Sequence, residues 1–394
     1  MNYPTRHLHV LHTESIYSRG GEKYLFELLK RVKQTHVVHL YLHRISPHWH
    51  NQYRKNNISV SLLWTPPGLF WLLLPITLFI NFLQLKKAIK KTDVLFATNF
   101  PMNFLSVLIS ARAICHCFEP LAIFYDPIRI SSLSPFSRFC VAVAKLLYAP
   151  LDRWAYTKSA VLTALGPSVE PYIIETYGRK PDLYLPNGVD SRVFSYKAPR
   201  VSAANRSPFI LGHSTDYTIF KGTEDFLSII AHLKKNGHTV IARISESIPD
   251  KETKKKYVTY IRRHALEHIV KFIGTVSERR LPEFYRSLDF FVYTGSPECA
   301  GGSTASLSVL EAQSCGTPVI RSRGDDHEII DGVTGYYIDP HNHKESGKIL
   351  ARALRLSKSD KNKMRAASRK YIYSRFDWDI TGNILVHAIQ QLEI

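Results

Sequence analysis

Acidic residues are scarce. Against 52 lysines and arginines the chain sets 33 aspartates and glutamates, a formal net charge of +19 over 394 residues. A deficit of that size calls for an anionic partner; nucleic acid, acidic lipid and diphosphate substrates all qualify, and a merely solvated basic exterior is the bland alternative. The basic residues lie in short clusters, Lys86, Lys87, Lys90 and Lys91 or Lys254 to Lys256, with no nucleic-acid motif beside them. An anionic membrane surface is therefore expected, and nucleic acid is not. Cysteine is sparse as well. Cys115, Cys117, Cys140, Cys299 and Cys315 give one C-x-C and no pair of C-x-x-C knuckles, which argues against a disulfide framework or a zinc site and fits a reducing compartment. No D-x-D motif closes a strand, so no metal is expected. The opening MNYPTRHLHVLHTE lacks the continuous apolar core of a secretory signal, which points to the cytoplasm or its membrane face. No apolar run reaches the roughly 20 residues of a spanning helix. The longest, Leu69 to Leu85, is interrupted by Pro75, Thr77 and Asn81 and runs into Lys86 and Lys87. It reads either as a helix packed on a sheet or as one lying in a bilayer interface, with its lysines on anionic headgroups.

At 45% hydrophobic and 22% charged, the chain can bury two sizeable cores. HLHVLHT, His7 to Thr13, reads as a buried strand, followed by Arg19, Gly20 and Gly21 and the amphipathic EKYLFELLKRV. Strand, glycine pair, helix is a phosphate-loop layout, although glycines at a turn more often serve backbone geometry. Asp93 to Asn99 and Ala113 to Glu119 are strand-like runs ending in polar residues, where a doubly wound sheet places its ligands. His116, Glu119 and Asp126 are the titratable groups there, and His116 in its apolar run reads first as a satisfied core residue. A helical stretch from Phe136 to Lys158 leads to AVLTALG and then to LYLPNGVD, whose turn ends one domain. Residues 196–207, polar and basic, form a linker. FILGHS, TVIARI, IVKFIG, FFVYTG, PVIRS and YYID then alternate with helices, the pattern of a second parallel sheet covered on both faces.

The stretch from Pro297 to Pro340 organises the rest. Gly301, Gly302, Ser303 and Thr304 hand over to an apolar-spaced helix with Leu307, Leu310 and Glu311, which ends at Gly316 ahead of Pro318. A bare helix start offers unpaired N–H groups and about half a positive charge, suited to a diphosphate. Glu311 is expected two turns further along, roughly 10 to 12 Å from that anion, about the reach from a diphosphate to its ribose. Lys221 beside Gly222 would, taken alone, be an ordinary surface lysine.

The strings LEAQSCGTPVI and HEIIDGVTGYYIDP resemble the C-terminal signature of glycosyltransferase family 4, retaining enzymes of the GT-B fold. The resemblance implies an α/β architecture of two Rossmann-like domains facing a cleft: residues 1–195 on the acceptor side, the linker 196–207, residues 208–376 for a nucleoside-diphosphate sugar, and 377–394 as a helix crossing back. It places Lys221, Gly20 and Gly21 on the donor diphosphate and sets His213 where an arginine is usual. Backbone beside Gly274 and Val276 would hold the base. His116 and Glu119 become candidates for the acceptor side of catalysis. Ser303 stands where the family has a sugar-facing glutamate. The function implied is transfer of a sugar to a lipid-linked or cell-envelope glycan, at the cytoplasmic membrane face and without a cofactor. A non-catalytic nucleotide-sugar-binding subunit is the alternative.

Overall fold

The computed structural model describes residues 7–17, 20–131, 133–196, 208–248, 250–296, 304, 306–324 and 326–393. Two compact units divide the chain: one runs to Pro186 and resumes at Trp378, the other spans Asn187–Asp377.

Unit 1 comprises β1 (His7–Leu11), β2 (Glu14–Ser15), α1 (Gly20–Val32), β3 (Val37–Leu42), β4 (Arg44–Ile45), α2 (Pro47–Lys55), β5 (Ser59–Leu62), α3 (Leu74–Ala88), β6 (Val94–Thr98), α4 (Met102–Ile109), β7 (Ala113–Cys117), α5 (Ala122–Tyr125), α6 (Pro127–Ser131), α7 (Pro135–Lys158), β8 (Val161–Ala164), α8 (Glu170–Tyr177) and β9 (Leu183–Tyr184). Seven strands form a parallel sheet in the order β5-β3-β1-β6-β7-β8-β9. Its central strands β6 and β7 are buried at every residue, which explains their unbroken apolar runs: helices cover both faces.

Unit 2 comprises β10 (Phe209–Thr215), α9 (Thr223–Lys235), β11 (Val240–Glu246), α10 (Lys251–Arg263), β12 (Val270–Gly274), α11 (Leu281–Arg286), β13 (Phe290–Tyr293), α12 (Leu307–Ser314), β14 (Val319–Ser322), β15 (Gly335–Ile338), α13 (His343–Leu354) and α14 (Lys358–Arg375). The sheet is again parallel, in the order β12-β11-β10-β13-β14-β15. One core, with Phe226, Ile230 and Leu350, lies on one side; the other, with Phe291, Leu310 and Ile372, gathers α11, α12 and α14.

The division falls before Asn187 and not at the expected 195/196, and the contacts of that stretch show why. Val189 N–H donates to Phe376 O (2.7 Å), Ser314 Oγ to Phe194 O (2.7 Å) and Arg286 Nη1 to Ser195 O (2.9 Å), so residues 187–196 are fastened into unit 2. The last helix, α15 (Trp378–Glu393), packs on α1. Arg31 Nε donates to Asp379 Oδ1 (3.0 Å), Trp378 meets Tyr24 edge-on at 5.5 Å, and Thr381 Oγ1 donates to Pro186 O (3.0 Å).

In a doubly wound sheet the chain reverses its direction of travel at one pair of neighbouring strands, and ligands sit beyond the carboxyl ends of that pair. The strand orders put this point between β1 and β6 in unit 1 and between β10 and β13 in unit 2.

Candidate functional site

Unit 2 gathers cations where its strand order reverses. After β10 the chain makes one turn of 3-10 helix ending at Lys221, and Gly222 takes the N-cap position before α9. Gly222 has φ of +61°, and a Cβ there would stand 1.8 Å from Thr294 O, so only glycine lets this loop lie against the end of β13. Thr294 Oγ1 fastens the approach by donating to Gly222 O (2.7 Å). Lys221 is thereby held with Nζ 5.6 Å from the centre of the Tyr293 ring, at the carboxyl end of β13. Arg321 of β14 reaches the same ring, its Cζ 5.2 Å from the centre. Arg321 is fully buried, forms an ion pair with Glu328 and donates to Thr304 O (3.3 Å). Two positive charges and the approach to α12 are thus organised around one aromatic ring.

The start of α12 differs from expectation. Ser303, with Glu298, Gly301 and Gly302, lies outside the described residues. Thr304 precedes the helix, which begins at Leu307 after Ser306 in an extended conformation, and no side-chain hydrogen bond caps it. Glu311 therefore stands about 6 Å along the axis from the first helical residue, little more than one turn. Its side chain is buried and accepts a hydrogen bond from Tyr285 Oη (2.8 Å). Burial, then the Glu311 carboxylate, pushes the Tyr285 phenol far above its ordinary pKa, so the tyrosine stays a donor and fixes the carboxylate's orientation.

His213 faces inward, contrary to its expected place on the diphosphate. Its Nδ1 pairs with Val292 O (2.9 Å), its Nε2 with Thr223 Oγ1 (3.1 Å), and the ring stacks on Phe226 at 4.7 Å. Burial pushes its pKa down to about 4, so it is neutral and ties β10 to β13 and to the first residue of α9. The backbone beside Gly274 is partly engaged as well: the Gly274 amide serves the Glu246 carboxylate, while the Val276 side chain joins the apolar cluster of Phe284 and Tyr285.

In unit 1, Gly20 and Gly21 open α1. A Cβ built at Gly21 meets nothing within 4 Å; no neighbouring atom demands a glycine there. Arg19 lies outside the described residues. His116 is a core residue, as its apolar run suggested and contrary to the acceptor-side role implied by the resemblance: no part of it is exposed, Nδ1 meets Thr163 Oγ1 (2.9 Å), and Tyr24, Phe96 and Phe118 enclose the ring. Burial drives its pKa to about 3. Glu119, just past β7, is part-exposed and lies 3.6 Å from Arg129; burial raises its pKa, and Arg129 opposes the rise. Asp126 supports the same arginine at 3.8 Å.

Sequence reasoning passed over five residues that the strand order singles out. His12 Nδ1 and Thr98 Oγ1 share a 2.6 Å hydrogen bond beyond the ends of β1 and β6, where unit 1 reverses. Asn99 follows with φ of +53°, a left-handed conformation that non-glycine residues adopt at a cost and that clusters at binding sites. In unit 2, Tyr293 and Arg321 sit inside plain strand runs, and only the position of those strands marks them. Among the described residues no cluster of three or more histidine, cysteine, aspartate or glutamate side chains could hold a metal ion.

Residues 197–372 match the family model described as Glycosyl transferases group 1. Sucrose synthase 2 of Tulipa gesneriana is 29% identical over 155 residues, 37% of this chain and 18% of that protein. The chain spans about a fifth or less of the sucrose synthases it matches, between 10% and 21%. A GDP-mannose-dependent monoacylated alpha-(1-6)-phosphatidylinositol monomannoside mannosyltransferase of Corynebacterium glutamicum is 24% identical over 249 residues, covering 59% of this chain and 63% of that one. Among solved structures, HepE of Anabaena, in complex with UDP and glucose, matches 98% of this chain and 99% of its own with a TM-score of 0.73 at 16% identity. Residues 197–372 thus resemble the glycosyl transferases group 1 family, and the two Rossmann-like domains have the GT-B fold.

Proposed function

We propose that the protein transfers a sugar from a nucleoside diphosphate to a lipid-linked or cell-envelope glycan, with retention of configuration at the sugar. The observation that carries this reading is Lys221, fixed by Gly222 at the strand-order reversal of unit 2 and sharing the Tyr293 ring with Arg321. As the bond between sugar carbon and phosphate oxygen opens, negative charge grows on the departing diphosphate. Preorganised donors stabilise that charge without reorganising, and an ammonium group with an uncapped helix start are such donors. Glu311, oriented by Tyr285, accepts from the ribose hydroxyls. The amides of Gly20 and Gly21 are proposed as further phosphate donors, the backbone beside Gly274 and Val276 as the support of the base, and Glu119 as the acceptor-side carboxylate. With lysine and helix amides neutralising the diphosphate, the proposal invokes no metal.

The relatives support the donor class: HepE was solved with UDP and glucose, and the Corynebacterium enzyme is named for GDP-mannose and for an acceptor that is a phosphatidylinositol glycolipid. A thermal-shift screen against UDP-, GDP- and ADP-sugars, followed by assay for free nucleoside diphosphate, tests the reading. A stabilising donor that is also consumed is the expected result. A protein that neither binds nor hydrolyses any of them ends it. Ser303, in place of a sugar-facing glutamate, favours a second reading as a binding subunit, which binding without turnover would select.

A further inference from the structure

Two helices of unit 1 turn large apolar side chains outward. In α3 the residues turned to the core include Thr77 and Asn81; Thr77 Oγ1 donates to Leu73 O and Asn81 pairs with His43 Nε2. Ile76, Phe79 and Leu83, spaced to share the opposite face, are exposed, Phe79 at 63%. In α7 the inward set is Ala144, Tyr148, Asp152, Ala155 and Tyr156, whereas Phe136 and Leu146 are exposed at 77% and 78%, with Phe139 and Leu147 beside them. A helix facing water carries the reverse pattern. The two elements adjoin: Tyr148 Oη donates to Trp71 O (2.8 Å), and Leu74, Ala144 and Tyr148 share one apolar cluster.

The exposed charges of these two segments have one sign. Residues 69–91 contain no aspartate or glutamate, and α7 contains only Asp152, which is buried against Asn103 and Tyr177. Lys86, Lys87, Lys90 and Lys91 at the end of α3 and Arg138, Arg153 and Lys158 on α7 are exposed. A groove of about 660 Å³ along α7 sets Lys145 and Arg153 among Leu146, Ala149 and Trp154, cations within apolar walls. Large apolar side chains outward, flanked by cations and with no exposed carboxylate on either helix, match the boundary between acyl chains and anionic headgroups.

We propose that α3, the residues just before it, and α7 together form a docking surface for an anionic lipid bilayer. The surface involves none of the groups assigned to the donor, and it deepens the lipid-acceptor part of the reading above by naming where the bilayer binds. Flotation of the full chain with vesicles of phosphatidylcholine, alone or mixed with phosphatidylglycerol, tests it. Two variants accompany the parent: Phe79→Ser/Phe136→Ser/Leu146→Ser and Lys86→Glu/Lys87→Glu. The parent should float with the mixed vesicles and not with phosphatidylcholine alone, and each variant should lose at least about tenfold in partitioning while its unfolding temperature and its thermal response to UDP stay unchanged. The charge reversals lie on exposed lysines and keep the test intact if the apolar variant fails to fold. A parent that does not float, variants that float as well as it, or a parent that self-associates through this face and ignores vesicles would each overturn the proposal. Each of those results leaves the donor reading standing, because UDP binding is measured separately.

Discussion

Lys221 and His213 stand on consecutive pieces of chain, and the structure gives them opposite tasks. Lys221 projects to the Tyr293 ring, while His213 spends both ring nitrogens on Val292 and Thr223. Lys221→Ala should lower kcat/KM by about 10²- to 10³-fold, the usual effect of losing one charge-stabilising donor, with unfolding temperature unchanged. His213→Ala should do the reverse. It leaves buried partners unpaired and should cost about 1–3 kcal/mol in denaturant unfolding, with donor affinity of the folded protein retained. A large loss of donor affinity at full stability would show instead that the histidine touches the ligand. Sequence position could not separate these two residues, because burial of the end of β10 is decided by α9, whose Phe226 covers the ring.

At the scale of elements, α15 rests on α1 through a close approach at Gly382, where a Cβ would come within 2.5 Å of Arg31 Cβ. Gly382→Val should pry the helices apart and lower the unfolding temperature by about 3 to 8 °C in calorimetry, taking ~1–3 kcal/mol for overpacking. The regular elements were largely legible beforehand. Buried parallel strands such as VLFAT and FFVY announce themselves as apolar runs, and α7 and α15 as long helical stretches. Strands β3 and β5 fall in a stretch to which the sequence analysis assigned nothing; β5, with Ser59, Ser61 and Leu62 exposed, lies at the sheet's edge and shows no apolar run. The start of α12 lies closer to Glu311 than the expected two turns because small residues before a helix do not reveal where helical geometry begins, and Ser306 takes the capping position. Thr77 and Asn81 read as interruptions of an apolar run; they share its inward face with Leu74 and Leu85, and a run apolar on every side does not show which face is inward until the surroundings are known.

Across the described residues, five of the buried histidines set the response to acid. Burial is the leading cause in each case: it holds His9, His12, His43 and His213 at about 4 and His116 at about 3. In the unfolded chain they take up protons near 6.5, so between that pH and about 4 acid favours unfolding, with a cost of up to ~3 kcal/mol per histidine. Asp152, raised by burial to about 6, and Glu119, also raised by burial, act in the opposite direction, two carboxyls against five imidazoles. Denaturant midpoints should therefore hold steady from pH 8 to about 7 and fall steadily below about 6.5; a midpoint flat down to about pH 4.5 would contradict the buried, neutral state of these rings. Among the described residues no helix is long and apolar enough to cross a membrane. Retention by Phe79, Phe136 and Leu146 would instead confine the protein to the plane of the lipid, where encounters are two-dimensional. Its turnover on a lipid acceptor should then follow the acceptor's mole fraction in the vesicle surface, and dilution with neutral lipid should slow it even when the total acceptor in the tube is constant.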